Sequence, residues 1–88
     1  MYPDDTELTR ALGVLAYRRG EYARAAQLLQ DSSQKLTNDA EVFYYLGMAH
    51  YQLKHTTTLT KAALQRALAL NLPSQSADGA RKVLAELK

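Results

Sequence analysis

The sequence predicts an all-α fold built from helical hairpins, and three observations lead to it. Hydrophobic residues make up 47% of the 88-residue chain, with leucine and alanine abundant. No segment alternates apolar and polar residues over the length of a strand. A motif also recurs at a fixed spacing: Leu12-Gly13 returns 34 residues later as Leu46-Gly47, and Tyr17 returns as Tyr51. A fixed period with matching residue types indicates repeated supersecondary units.

The first helix is predicted from about residue 5 to residue 18. Asp4 can cap it and Glu7 can reach back to the start, as in a capping box. Gly20 is expected to end it, because glycine readily takes the left-handed conformation of helix C-termini. Its apolar stripe has helical spacing and consists of Leu8, Ala11, Leu12 and Leu15.

The second helix is predicted from about residue 22 to residue 36, and the third from a cap at Asn38 to about residue 53. Glu41 follows Asn38 by three residues and repeats the capping-box spacing. The inner face of the second helix holds Tyr22, Ala25, Leu29, Ser32 and Leu36. That of the third holds Phe43, Leu46, His50 and Leu53.

The fourth and fifth helices are predicted at about 58–70 and 75–87. A threonine cluster at 56–58 disfavours a helix interior and suits a start near Thr58. Pro73 cannot continue a helix, and Ser74 can cap the next one. The fifth helix carries Ala80, Val83, Leu84 and Leu87 at helical spacing.

Length and charge exclude several classes of protein. The chain allows one small domain, residues 1–88, and has no cysteine for a disulfide or thiolate site. A net charge of +2 with scattered arginines argues against a nucleic-acid partner. No apolar run reaches the roughly 18 residues that indicate a membrane span, and no feature indicates a compartment.

This pattern resembles the tetratricopeptide repeat, a hairpin of two helices with an aromatic residue, Leu-Gly and Tyr in its first helix. The matching residues of the first copy are Leu12, Gly13, Tyr17, Gly20, Tyr22, Ala25 and Leu29. Those of the second are Phe43, Leu46, Gly47, Tyr51, Leu64, Ala67 and Pro73. Three positions depart from the family pattern: Thr9, Ser32 and Thr60.

The resemblance implies a right-handed superhelix (solenoid) of two repeats, about 6–39 and 40–73, closed by a capping helix at about 75–87. An ordinary four-helix bundle is the alternative. The residues expected to be largely buried are Leu12, Leu29, Phe43, Leu46, Leu64, Ala67 and Val83. Residues 2–5, Tyr-Pro-Asp-Asp, look like the end of a preceding repeat, so we expect a piece of a longer array. Leu8 or Leu15 should then be partly exposed on an upstream flank; a natural small protein is the alternative.

Chemistry-bearing residues are few. His50 is expected to pack on an inner face and His55 to lie in a turn, and no His-Glu pair or glycine-rich phosphate loop occurs. We therefore predict a protein without enzymatic activity and without a metal or cofactor.

The resemblance implies a concave groove, formed by the first, third and fifth helices, that binds a peptide. The residues predicted to bind the partner are Arg10, Val14, Tyr17, Arg18, Tyr44, Tyr45, Met48, Tyr51 and Lys82. Tyrosines suit such a face because they offer apolar area with a polar tip. The alternative is that Tyr44 and Tyr51 only pack between neighbouring repeats. The two-carboxylate clamp of some family members is absent, because Val14, Tyr45 and Asp78 occupy three of its positions.

Two functions follow as hypotheses. The first is a protein–protein interaction module that binds a partner peptide or helix. The second is a structural spacer or a self-association repeat, with a homo-oligomer formed through the exposed flank.

Overall fold

The computed structural model describes residues 6–53 and 57–87, and these form five α-helices and no strand. The helices are α1 (Thr6–Arg18), α2 (Tyr22–Lys35), α3 (Ala40–Gln52), α4 (Thr57–Ala69) and α5 (Ser74–Glu86). The all-α prediction is therefore confirmed, with each helix boundary within two residues of its expected place. The proposed cap Asp4 and the turn residue His55 lie outside the described residues.

The odd-numbered helices keep the 34-residue period. Helices α1, α3 and α5 each have 13 residues, and each begins 34 residues after the one before. Successive helices contact each other along the chain, and α3 also contacts both α1 and α5. Within the described ranges, the backbones of α2 and α4 do not approach each other closely.

The turns show why the helices end where they do. Gly20 has a φ of 81°, the left-handed conformation predicted for it. Asn71 takes the same conformation after α4, with a φ of 67°, and asparagine tolerates it better than most residues. The predicted cap of α3 was wrong by one residue: Asp39, not Asn38, accepts hydrogen bonds from the backbone N–H groups of Glu41 and Val42. A side chain at position 39 reaches both of these donors.

Two glycines set the distance within the hairpins. A Cβ atom on Gly13 would lie 2.8 Å from Leu29 Cγ, and one on Gly47 would lie 2.7 Å from Leu64 Cδ2. Both leucines are fully buried. The recurring Leu-Gly pair is thus explained by packing, because only glycine leaves room for the leucine of the opposite helix.

The core forms two clusters. The first joins α1, α2 and α3 with Ala63 in the middle of α4, and the second joins α4 and α5. Five of the seven residues expected in the core are buried: Leu29, Leu46, Leu64, Ala67 and Val83.

The prediction for Leu12 was wrong. Its side chain is 39% exposed, whereas Leu46, at the equivalent position of α3, is buried. The difference arises because α2 packs on α3, while no described helix covers this side of α1. Phe43 is only half-buried, and the guanidinium of Arg66 lies 5.7 Å from the centre of its ring.

We expect Gly47→Ala to destabilise the protein. The added methyl group would strike a buried leucine, and such overpacking costs about 1–3 kcal/mol. Alanine has a better helix propensity than glycine, and this offsets about 1 kcal/mol of the overpacking cost. Gly79→Ala is the control, because a Cβ there would meet only the Tyr44 hydroxyl, at 3.3 Å. Urea unfolding should show a lower midpoint for the first variant and an unchanged or higher one for the second. An equal rise of the urea midpoint in both variants would contradict the explanation that Gly47 is needed for the close approach of α3 and α4.

Candidate functional site

The predicted binding face lies on the side formed by α1, α3 and α5. These helices run parallel along this side. Arg10 contacts the start of α3 and Tyr17 its middle. Likewise, the Tyr44 hydroxyl lies near Gly79, in the middle of α5, and Tyr51 bonds to Glu86, at its end.

Tyrosine rings join α1 to α3 across this face. The rings of Tyr17 and Tyr45 contact edge to face with centroids 5.3 Å apart, and those of Tyr44 and Tyr45 do so at 5.1 Å. Edge-to-face contacts are a preferred geometry for aromatic pairs. The structure therefore brings together three of the predicted site residues in one half-buried cluster.

A fourth ring was missed by the sequence reasoning. Tyr22, at the start of α2, contacts Tyr17 edge to face at 5.4 Å. The short turn at Gly20 brings the end of α1 next to the start of α2, so the five-residue spacing of these tyrosines was the available signal. We call Tyr17, Tyr22, Tyr44 and Tyr45 the tyrosine cluster.

Burial affects the ionisation of this cluster. Burial raises the pKa of Tyr17 above its ordinary value, and a hydrogen bond with the side chain of Gln52 opposes the rise. The pKa of Tyr44 is raised by burial and then by the neighbouring Tyr45. Both hydroxyls therefore stay protonated at physiological pH.

Tyr44, Met48 and Tyr51 point toward α5. All three are partly buried against the second core cluster, which contains Leu64, Ala80 and Val83. The Tyr51 hydroxyl donates a 2.6 Å hydrogen bond to Glu86 Oε1, and this bond raises the pKa of Tyr51. These three side chains fix α5 on α3 and leave only part of their surface for a ligand.

Arg10 is neutralised within the chain. Its Nε donates a 2.8 Å hydrogen bond to Asp39 Oδ2, and its Nη2 pairs with Glu41. Asp39 therefore both caps α3 and holds α1 against it. The sequence reasoning listed Arg10 for the partner and did not foresee these two carboxylates.

Two cations of the predicted site remain available. Arg18 and Lys82 are exposed, and neither forms an ion pair with the described residues. Val14, Met48 and Lys82 occupy the same position in α1, α3 and α5, at 34-residue intervals.

A depression of about 240 Å³ on α1 is lined by Arg10, Ala11, Val14, Leu15, Arg18 and Glu41.

A wider depression of about 600 Å³ borders the turn between α2 and α3. It reaches the N-terminus of α3, where Asp39 already accepts hydrogen bonds from two amides. No group of three His, Asp or Glu side chains at residues 6–53 and 57–87 is arranged to hold a metal ion. In the same ranges, every buried side-chain nitrogen or oxygen has a hydrogen-bond partner.

No helix in the described part of the chain is both long and apolar enough to cross a membrane. No family model matches the sequence, and no curated protein matches it at a significant level.

Proposed function

We propose that this chain is a tetratricopeptide-like pair of repeats with a capping helix, and that it binds a protein or peptide without catalysing a reaction. The repeat interpretation is supported by the 34-residue register of the odd-numbered helices and by the two glycines packed on buried leucines. The contact pattern also supports it, because each helix contacts its neighbour in the chain and α3 contacts both α1 and α5.

The observation that carries the binding proposal is the tyrosine cluster, together with exposed cations on α1 and α5. Tyr17, Tyr44 and Tyr45 are half-buried and rigidly packed, so their exposed parts can take up a ligand at little entropic cost. Arg18 and Lys82 lie exposed at the two sides of this face. The face therefore suits a segment with an apolar or aromatic anchor and acidic flanking residues.

A peptide library screened by chemical-shift changes in NMR spectra tests the location of this site. Peptides that combine an aromatic residue with flanking acidic residues should bind best. We expect the shifts to centre on Val14, Tyr45 and Met48. Shifts confined to the outer surfaces of α2 and α4, around Arg24, Gln27 and Gln65, would exclude the proposed groove.

Affinity measurements on variants test the anchors. Tyr44→Ala should weaken the best peptide about thirtyfold, because losing an interface anchor costs about 2 kcal/mol or more. Tyr44→Phe retains the ring and is the matched control. Lys82→Ala should change mainly the salt dependence of binding. Circular dichroism must show that Tyr44→Ala keeps α5 in place, since this ring lies beside Gly79. If wild type and Tyr44→Ala bound the peptide with equal affinity, Tyr44 would not be part of the binding site.

The second candidate function is a structural repeat that joins a larger assembly and has no peptide ligand. The packing of Tyr44, Met48 and Tyr51 against α5 favours it, because these side chains already have a structural role. A protein that binds no peptide in the screen would support this function.

A further inference from the structure

The outer face of α1 carries the largest concentration of exposed apolar side chains among the described residues. Leu8 and Leu15 are 49% exposed and Leu12 is 39% exposed. Spacings of four and three residues place them on one side of the helix. Ala11 lies beside them and is also exposed. We call Leu8, Ala11, Leu12 and Leu15 the α1 face.

The chain itself shows that such a face accepts a helix. The residues of α3 that lie 34 positions after Leu8, Leu12 and Leu15 are all buried in the first core cluster. They are Val42, Leu46 and Ala49, and they pack with Ala25, Ala26 and Leu29 of α2. The α1 face thus has the chemistry of a helix–helix contact, and none of the five described helices covers it.

Two opposite charges border the α1 face on the same edge. Glu7, Ala11 and Arg18 are four and seven residues apart, so they form one row along the helix. Glu7 stands at the N-terminal end of the row and Arg18 at its C-terminal end. Both are exposed, and neither pairs with another described residue.

We propose that the α1 face binds the α1 face of a second copy of this chain, with the two helices antiparallel. A twofold axis near Leu12 brings Leu12 of both copies together and sets Leu8 of one copy against Leu15 of the other. The same axis keeps the two charged rows on one side, so Glu7 of each copy meets Arg18 of the other.

This arrangement is self-complementary, as a twofold interface requires. A parallel pair would put the charged rows on opposite sides, where Glu7 and Arg18 could not meet. The net charge of the chain, +2, opposes association of two copies only weakly. The α1 face lies on a different side of α1 from the tyrosine cluster, and Arg18 borders both surfaces. The proposal does not depend on peptide binding.

Sedimentation velocity over a range of concentrations tests the association. We expect the wild-type mass to rise from 9.8 kDa toward that of two chains and no further. Leu12→Glu should weaken the association about thirtyfold or more, because it removes the central anchor and sets two like charges together. Leu59→Glu is the matched control, because Leu59 is 49% exposed on α4, away from the α1 face, and should leave association unchanged.

Charge reversal tests the orientation with two exposed residues that lie outside the core. Glu7→Arg and Arg18→Glu should each weaken association by roughly fivefold, and the double variant should restore it, because exchanged charges pair again. The proposal would be overturned by a wild-type chain that stays monomeric, by masses that grow beyond two chains, or by a double variant no tighter than the single ones. A monomeric wild-type chain would show that the α1 face does not bind a second copy and would have to be covered by a different helix.

Discussion

Removal of α5, residues 74–88, is expected to unfold the remaining four helices. Ala80 and Val83 of α5 are buried together with Leu64 of α4, which is fully buried. Without α5, the apolar sides of Leu64, Tyr44, Met48 and Tyr51 would face water. A small domain has little apolar burial to lose, so we expect loss of the cooperative thermal transition and aggregation. Far-UV circular dichroism follows the thermal transition, and light scattering detects the aggregation.

A pair of point variants separates the packing of α5 from the shortening of the chain. Ala80→Asp puts a carboxylate into a fully buried position and should cost about 3–5 kcal/mol, as an uncompensated buried charge does. Ala85→Asp makes the same change at an exposed position of the same helix and should cost less than about 1 kcal/mol. A truncated chain that kept its helical signal and melting temperature, or equal effects of the two substitutions, would show that α5 does not stabilise the other helices.

The helices could be predicted from the sequence because the signals that determine them are local. Apolar spacing located each helix, and Gly20 and Pro73 marked two of the turns. The error at Asn38 and Asp39 has a physical cause. Both side chains can cap, and the choice depends on which one meets the amides of α3 and the guanidinium of Arg10, a residue 29 positions earlier. That contact depends on the tertiary fold.

The burial of side chains was less predictable. Periodicity identified the apolar stripe of α1, but the exposure of Leu12 depends on whether a helix lies over it. Likewise, the family resemblance put Tyr44 and Tyr51 on the predicted binding face, and the packing of α5 decides how much of each remains exposed. Residues that repeat at 34 positions therefore have equivalent backbone positions and different surroundings.

Leu64→Ala is expected to lower the free energy of unfolding by about 2–5 kcal/mol, because truncating a buried leucine removes its apolar contacts and leaves a cavity. The total free energy of unfolding of a chain of this length is only about 4–13 kcal/mol. The variant should therefore unfold in much less urea. Leu64 is 0% exposed, belongs to the cluster shared by α4 and α5, and fills the space left by Gly47.

Leu59→Ala is the matched control for this prediction. It makes the same chemical change in the same helix at a side chain that is 49% exposed. Its effect should stay within about 0.5 kcal/mol, as for most exposed sites. Urea titration of both variants at one pH and temperature gives the comparison. It requires that the slope of the unfolding free energy against urea concentration is the same for both variants. If Leu64→Ala cost no more than Leu59→Ala, Leu64 could not be the residue that holds α3, α4 and α5 together. The close approach at Gly47 would then need a different explanation.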